Sequence, residues 1–172
     1  MTAGKFMAVA IVAVALIFGA VVYYAQVYYF YETLDATGPE DVMLTTLQGD
    51  RIALPHSDFR AIDADSSPIR FRACFTTDVT PAEAAQTFEP YEGGQPRNAP
   101  GWFDCFDAET LGDTIAAGKA QVFTGQRNLE FGIDRVVALT EDGRGFIWHE
   151  INECGDKAYD GTPLGDDCPE RP

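Results

Sequence analysis

An uncharged run of 26 residues, FMAVAIVAVALIFGAVVYYAQVYYFY, occupies positions 6–31 between Lys5 and Glu32 and limits what the chain can fold into more than any other feature. As a helix it would be about 39 Å long, more than the ~30 Å of bilayer hydrocarbon. Positions 6–22 are apolar on every face, which suits lipid better than the one-sided pattern of a surface helix. The far end carries six rings, Tyr23, Tyr24, Tyr28, Tyr29, Phe30 and Tyr31. Such rings gather where a helix leaves the hydrocarbon, because the ring is apolar and the hydroxyl seeks water or headgroups. Residues 1–31 are therefore expected to be an uncleaved transmembrane anchor with those rings at the membrane interface. A cleaved signal peptide would have a core of about 7–15 apolar residues and a small-x-small exit. Here the core is longer, and Phe18 and Tyr23 stand two places before Ala20 and Ala25. A buried helix of a soluble domain rarely runs this long without a charge.

Charge and cysteines set the orientation. The chain has 12 Lys and Arg against 27 Asp and Glu; Lys5 alone precedes residue 32, so the remainder carries a net charge of −16. Such a surface repels nucleic acid and anionic headgroups, so the domain is expected to stand off the membrane, bind no nucleic acid and suit basic soluble partners. Cys74, Cys105, Cys154 and Cys168 all lie beyond the run. An even number of cysteines on the translocated side reads as two disulfides made in an oxidising compartment. Three pairings are possible; Cys74–Cys105 with Cys154–Cys168 is preferred, because the second pair flanks a short Gly/Pro/Asp loop. No C-x-x-C or C-x-x-C-H occurs, which removes the local signature of a redox dithiol or covalent haem. The expected placement is a bacterial inner membrane, crossed once, with the N-terminus cytoplasmic and the rest periplasmic.

Along the chain, residues 32–41 read as a polar linker with Gly38-Pro39. VMLTTLQGDRIAL reads as a hairpin turning at Gln48-Gly49-Asp50, and residues 55–66 as an ordered loop or one helical turn. In PIRFRACF, Ile69, Phe71, Ala73 and Phe75 alternate with Arg70, Arg72 and Cys74, the period of a half-buried strand. Thr80-Pro81-Ala82-Glu83 is a capping box that opens a helix running to about Phe88. Asp107 caps a second helix that Gly118 ends. AQVFTG, DRVVALT and GFIWHEI read as strands, the last two joined by a tight antiparallel connection. The tail, with Pro163 and Pro169, is expected to be held by its disulfide. The expected fold class is α+β: one domain over residues 42–172, with an antiparallel sheet, two short helices and two disulfides.

Three features invite chemistry. Asp63-Ala64-Asp65-Ser66 alternates oxygen ligands but lacks the glycine and distal Glu of a calcium loop. It is read as a turn in which Asp65 and Ser66 satisfy backbone N–H groups. His149, in Trp148-His149-Glu150, is read as a neutral, hydrogen-bonded histidine at the sheet surface rather than a ligand or base. Asp63, Asp65 and His149 are thus the residues from which a metal reading would have to start. Arg70 and Arg72 suit an anion, but on an acidic domain are expected to pair with carboxylates. No G-x-S-x-G, Walker or G-x-G-x-x-G motif appears, and no catalytic set or cofactor is expected.

The stretches YYAQVYYFYE, IDADSSPIRFRACF, APGWFDCFDA and FGIDRVVALTEDGRGFIWHEINECG, with a final Cys-Pro, resemble an uncharacterised family of alphaproteobacterial single-pass membrane proteins, a domain of unknown function. The resemblance covers nearly the whole chain and implies no activity. Some members bear a histidine-kinase label; this sequence has neither a dimerising phosphoacceptor helix nor a glycine-rich ATP lid. The expected role is non-enzymatic: a tethered periplasmic domain working through protein contacts, as an accessory or assembly component of an inner-membrane complex, respiratory or photosynthetic. The alternative is a periplasmic module that binds or senses a metal or small ligand.

Overall fold

Alternation of apolar and polar residues makes the strands, and a second buried face makes some of them apolar throughout. The computed structural model describes residues 2–162, 165, 168 and 169. An N-terminal helix α1 (Ala3–Tyr24) runs into a π-turn (Ala25–Tyr29), and together they are long and apolar enough to cross a membrane, with no side chain buried. Among the described residues eight strands follow: β1 (Glu32–Leu34), β2 (Met43–Thr45), β3 (Arg51–Ala53), β4 (Ser57–Asp63), β5 (Arg72–Thr76), β6 (Ala120–Glu130), β7 (Ile133–Thr140) and β8 (Arg144–Ile151). Six form one antiparallel sheet in the order β1-β4-β5-β8-β7-β6, while β2 and β3 form a separate hairpin. Helices α2 (Pro81–Ala84) and α3 (Ala108–Ala116) are short.

Both sheet faces are covered. On one, Phe71, Ala73, Phe75, Val137, Leu139 and Ile147 pack against the hairpin's Val42, Leu44 and Leu54 and against Ala84 and Phe88. On the other, Cys74, Val136, Ala138, Phe146 and Trp148 pack beneath Phe103, Phe106 and Leu111 from the segment that ends in α3. Burying about 150–250 Å² per ring, these aromatics dominate the core's hydrophobic stabilisation. The disulfide Cys74–Cys105 pins that covering segment to β5, and Cys154–Cys168 closes the tail. Pro163 and the last residues, 170–172, lie outside the described set.

Three elements differ from expectation. Residues 55–66 contain a strand, β4, not a loop or helical turn. Its period is broken where Asp58 takes φ of +52° and the register with β5 shifts between Ser57 and Arg60. Within the expected linker, Glu32–Leu34 forms the sheet's outer strand and Pro39–Asp41 a 3-10 turn. The capping box at Thr80 forms, with Glu83 Oε2 accepting the Thr80 N–H at 2.9 Å, but the α-helix stops at Ala84 instead of Phe88. Beyond it the chain is drawn into strand-like bonds: the Glu89 N–H donates to Thr45 O and the Glu89 carbonyl accepts from the Thr124 N–H, both at 2.9 Å. This shields the β6 edge.

Candidate functional site

The place where the N-terminal helix meets the sheet is built from groups that each end needs. The last carbonyls of a helix have no partners within it and carry its partial negative charge. Here Arg70 donates to Gln26 Oε1 at 2.6 Å and to the Gln26 carbonyl at 3.3 Å, and Trp102 Nε1 donates to the Val27 carbonyl at 2.7 Å. The Arg70 guanidinium lies 5.4 Å from the Tyr31 ring centre, and Tyr31 meets Trp102 edge-on at 6.1 Å. Tyr31 packs against the second core, and β1 begins at the next residue. Helix and domain are therefore joined by a collar of side-chain bonds, not by a slack linker. The other rings of the run stay outside: Tyr24 stacks on Tyr28 at 5.7 Å, Tyr29 meets Phe30 edge-on, and Tyr23 is exposed.

Behind the collar the buried polar groups are committed to one another. His149, 5 % exposed, stacks on Phe71 at 5.0 Å. Its Nδ1 lies 2.5 Å from the Pro68 carbonyl and its Nε2 3.0 Å from Arg135 Nε. A carbonyl only accepts and a guanidinium only donates, so the ring is the neutral Nδ1–H tautomer. Burial pushes the His149 pKa down to about 4, against the opposing pull of the Pro68 carbonyl and with help from Arg135 and Arg72. The Arg135 guanidinium in turn lies 4.3 Å from the Phe71 ring centre. His149 is thus neutral and hydrogen-bonded, but buried rather than at the surface as expected.

Arg72, 3 % exposed, donates to the carbonyls of Ile69, Phe71, Arg97 and Asn98. Burial pulls its pKa down to about 10, the nearby Arg97 adding to the effect and Tyr31 opposing it. Among the described residues neither Arg70 nor Arg72 makes the expected ion pair with a carboxylate, although Glu150 and Asp63 act on Arg72 at longer range. Arg97 does pair, with Glu150 at 2.5 Å; Glu150 also accepts from Gln95 N–H and Trp148 Nε1. Fully buried Asp134 accepts from Arg127, the Asn128 N–H and Asn152. These networks are not legible in the sequence, because each depends on a distant partner: Glu150 on Gln95 and Arg97, 55 and 53 residues away, and Asp134 on Asn152, 18 away.

In the acidic loop Asp63 accepts from the Ala64 N–H at 2.8 Å and the Ser67 N–H donates to the Ala64 carbonyl. The turn is thus held by Asp63 and the backbone, not by Asp65 and Ser66. Burial raises the Asp63 pKa. Among the described residues no three His, Cys, Asp or Glu side chains converge as a metal site would require, and neither histidine is hydrogen-bonded to a hydroxyl. A wide-open, shallow cavity of about 660 Å³ lies at the collar between the helix end and the Pro96–Pro100 segment.

Residues 42–169 match the model of a family of unknown function, DUF6446, and the chain belongs to that family. No curated protein and no solved structure matches it.

Proposed function

We propose that this member of the DUF6446 family is a single-pass protein of a bacterial inner membrane, its N-terminus cytoplasmic and its sheet domain periplasmic. It acts without catalysis, through protein contacts, as an accessory or assembly component of a membrane complex, respiratory or photosynthetic. The observation that carries the reading is the collar. Arg70 and Trp102 cap the carbonyls of Gln26 and Val27, which favours one angle between domain and helix. A domain held at one height and orientation presents its surface to neighbours in the same bilayer at high effective concentration, where weak contacts suffice. The rings of Tyr23, Tyr24, Tyr28 and Tyr29 remain exposed to meet lipid or a partner helix. The acidic surface favours basic soluble partners on the same side. Crosslinking in native membranes followed by mass spectrometry is the test. Recurrent neighbours that also copurify in mild detergent are expected; a protein recovered alone under every extraction condition would contradict the reading.

A further inference from the structure

The charge of this chain is reversed at the collar. Beyond residue 31 the net charge is −16, yet the 660 Å³ cavity there has three arginines, Arg70, Arg72 and Arg97, among its twelve lining residues and no carboxylate. Among the described residues Arg97 is the one of the three that a carboxylate contacts, through Glu150. Arg70 is held by an amide, a carbonyl and the Tyr31 ring, and Arg72 by four carbonyls. These partners orient a guanidinium without cancelling its charge. Glu150 and Asp63 lie near enough to act on Arg72, so of the three arginines Arg70 is the one whose charge is least offset by a neighbouring carboxylate.

The position of the cavity selects its ligand. Gln26, Val27 and Tyr31 form one wall, and they directly follow the exposed rings Tyr23 and Tyr24. Gln26 lies about 3 Å along the helix axis from Tyr24. If the helix spans the bilayer, as the functional reading above holds and as this step requires, the cavity opens at headgroup level. Guanidinium groups match phosphate oxygens in paired hydrogen bonds and are less strongly hydrated than ammonium groups. We propose that the collar cavity binds the phosphodiester headgroup of an anionic phospholipid, with Arg70 and Arg97 at its rim and Arg72 as the buried charge behind them. Bound lipid would then hold the domain at its angle to the membrane.

The test uses the full-length protein in neutral detergent, titrated with phosphatidylglycerol or phosphatidylcholine and read by native mass spectrometry. Three variants accompany it. Arg70→Gln removes a charge but keeps an N–H for Gln26. Asn98→Asp puts a carboxylate on the rim while leaving the backbone carbonyl that Arg72 uses. Arg144→Gln, at the other end of β8 and bonded to Asp142, is the control. Phosphatidylglycerol is expected to bind in preference to phosphatidylcholine. Its affinity should fall roughly fivefold in Arg70→Gln, the effect of about one arginine at a membrane surface. Asn98→Asp should lose affinity similarly with no drop in melting temperature, and Arg144→Gln should behave as wild type. Equal binding of the two lipids, or undiminished phosphatidylglycerol binding in both collar variants, overturns the site. Displacement of the lipid by equimolar inorganic phosphate overturns the lipid as its source. Membrane-derived protein lacking residues before Glu32 overturns the anchored reading beneath it.

Discussion

Lowering the pH from 7 to 5 should cost this protein about 2 kcal/mol through one residue, His149. Its pKa falls from an ordinary 6.5 to about 4 in the folded state. The unfolded chain therefore takes up the proton first, and stability rises with pH across this interval. The contribution is complete above about pH 6.5 and is lost progressively as the pH falls toward 4. Linkage with these two values gives about 2 kcal/mol at pH 5 and about 3 kcal/mol at the acid limit. The main cause is burial of the ring; in addition a protonated Nε2 could no longer accept from Arg135 Nε at 3.0 Å and would place a second cation beside it. Carboxylates held low by hydrogen bonds, such as Asp107 by the Thr110 N–H and Glu83 by the Thr80 N–H, lose their contribution only nearer pH 4 and below. Urea unfolding of the full chain in neutral detergent at pH 7 and pH 5 measures the difference. His149→Gln keeps a donor and an acceptor but does not titrate in this range, so its stability should change far less between the two pH values. An equal pH 7-to-5 loss in wild type and variant would refute the neutral, buried assignment.

Four further perturbations probe the packing. Gly145 lies opposite Phe75 across β5 and β8, where an added Cβ would collide with the ring, so Gly145→Ala should cost about 1–3 kcal/mol in urea midpoint analysis. Removing Cys154–Cys168, which closes a separation of 14 residues, should cost about 3 kcal/mol in the chain-entropy model. Cys74–Cys105 spans 31, and its loss should cost more, because Phe103 and Phe106 beside it would also lose their hold on the sheet; denaturant titration of paired Cys→Ala variants ranks the two. Trp102→Ala removes the cap on the Val27 carbonyl and the edge contact with Tyr31. Limited proteolysis between residues 25 and 36 should accelerate while cleavage within β6–β8 does not.

What was legible in the sequence was what local chemistry decides. Phe71, Ala73 and Phe75 do share one face and Cys74 the opposite one, as their alternation requires. The Asp107 cap forms, with the Thr110 N–H donating at 3.1 Å, and Gly118 takes φ of +70° just past α3. The cysteine pairing was accessible because a short turn-rich loop leaves few alternatives. What escaped was decided by distant partners. β4 is masked by a bulge at Asp58, and the helix after Thr80 yields Phe88 and Glu89 to pairing with the hairpin and β6. Arg72 reads as a surface residue of a half-buried strand, because nothing near it in sequence announces that Arg97 and Asn98 will lie over it. The collar escaped for the same reason: Gln26 meets Arg70 across 44 residues, and Val27 meets Trp102 across 75.

The most direct measurement is the intact mass of the protein extracted from membranes of its host. A chain that retains the apolar helix and weighs four hydrogens less than its fully reduced form is expected, the two disulfides being Cys74–Cys105 and Cys154–Cys168. A mature chain that starts beyond the apolar run, or a mass showing all four thiols free, would contradict a domain collared to its own membrane helix outside the cytosol.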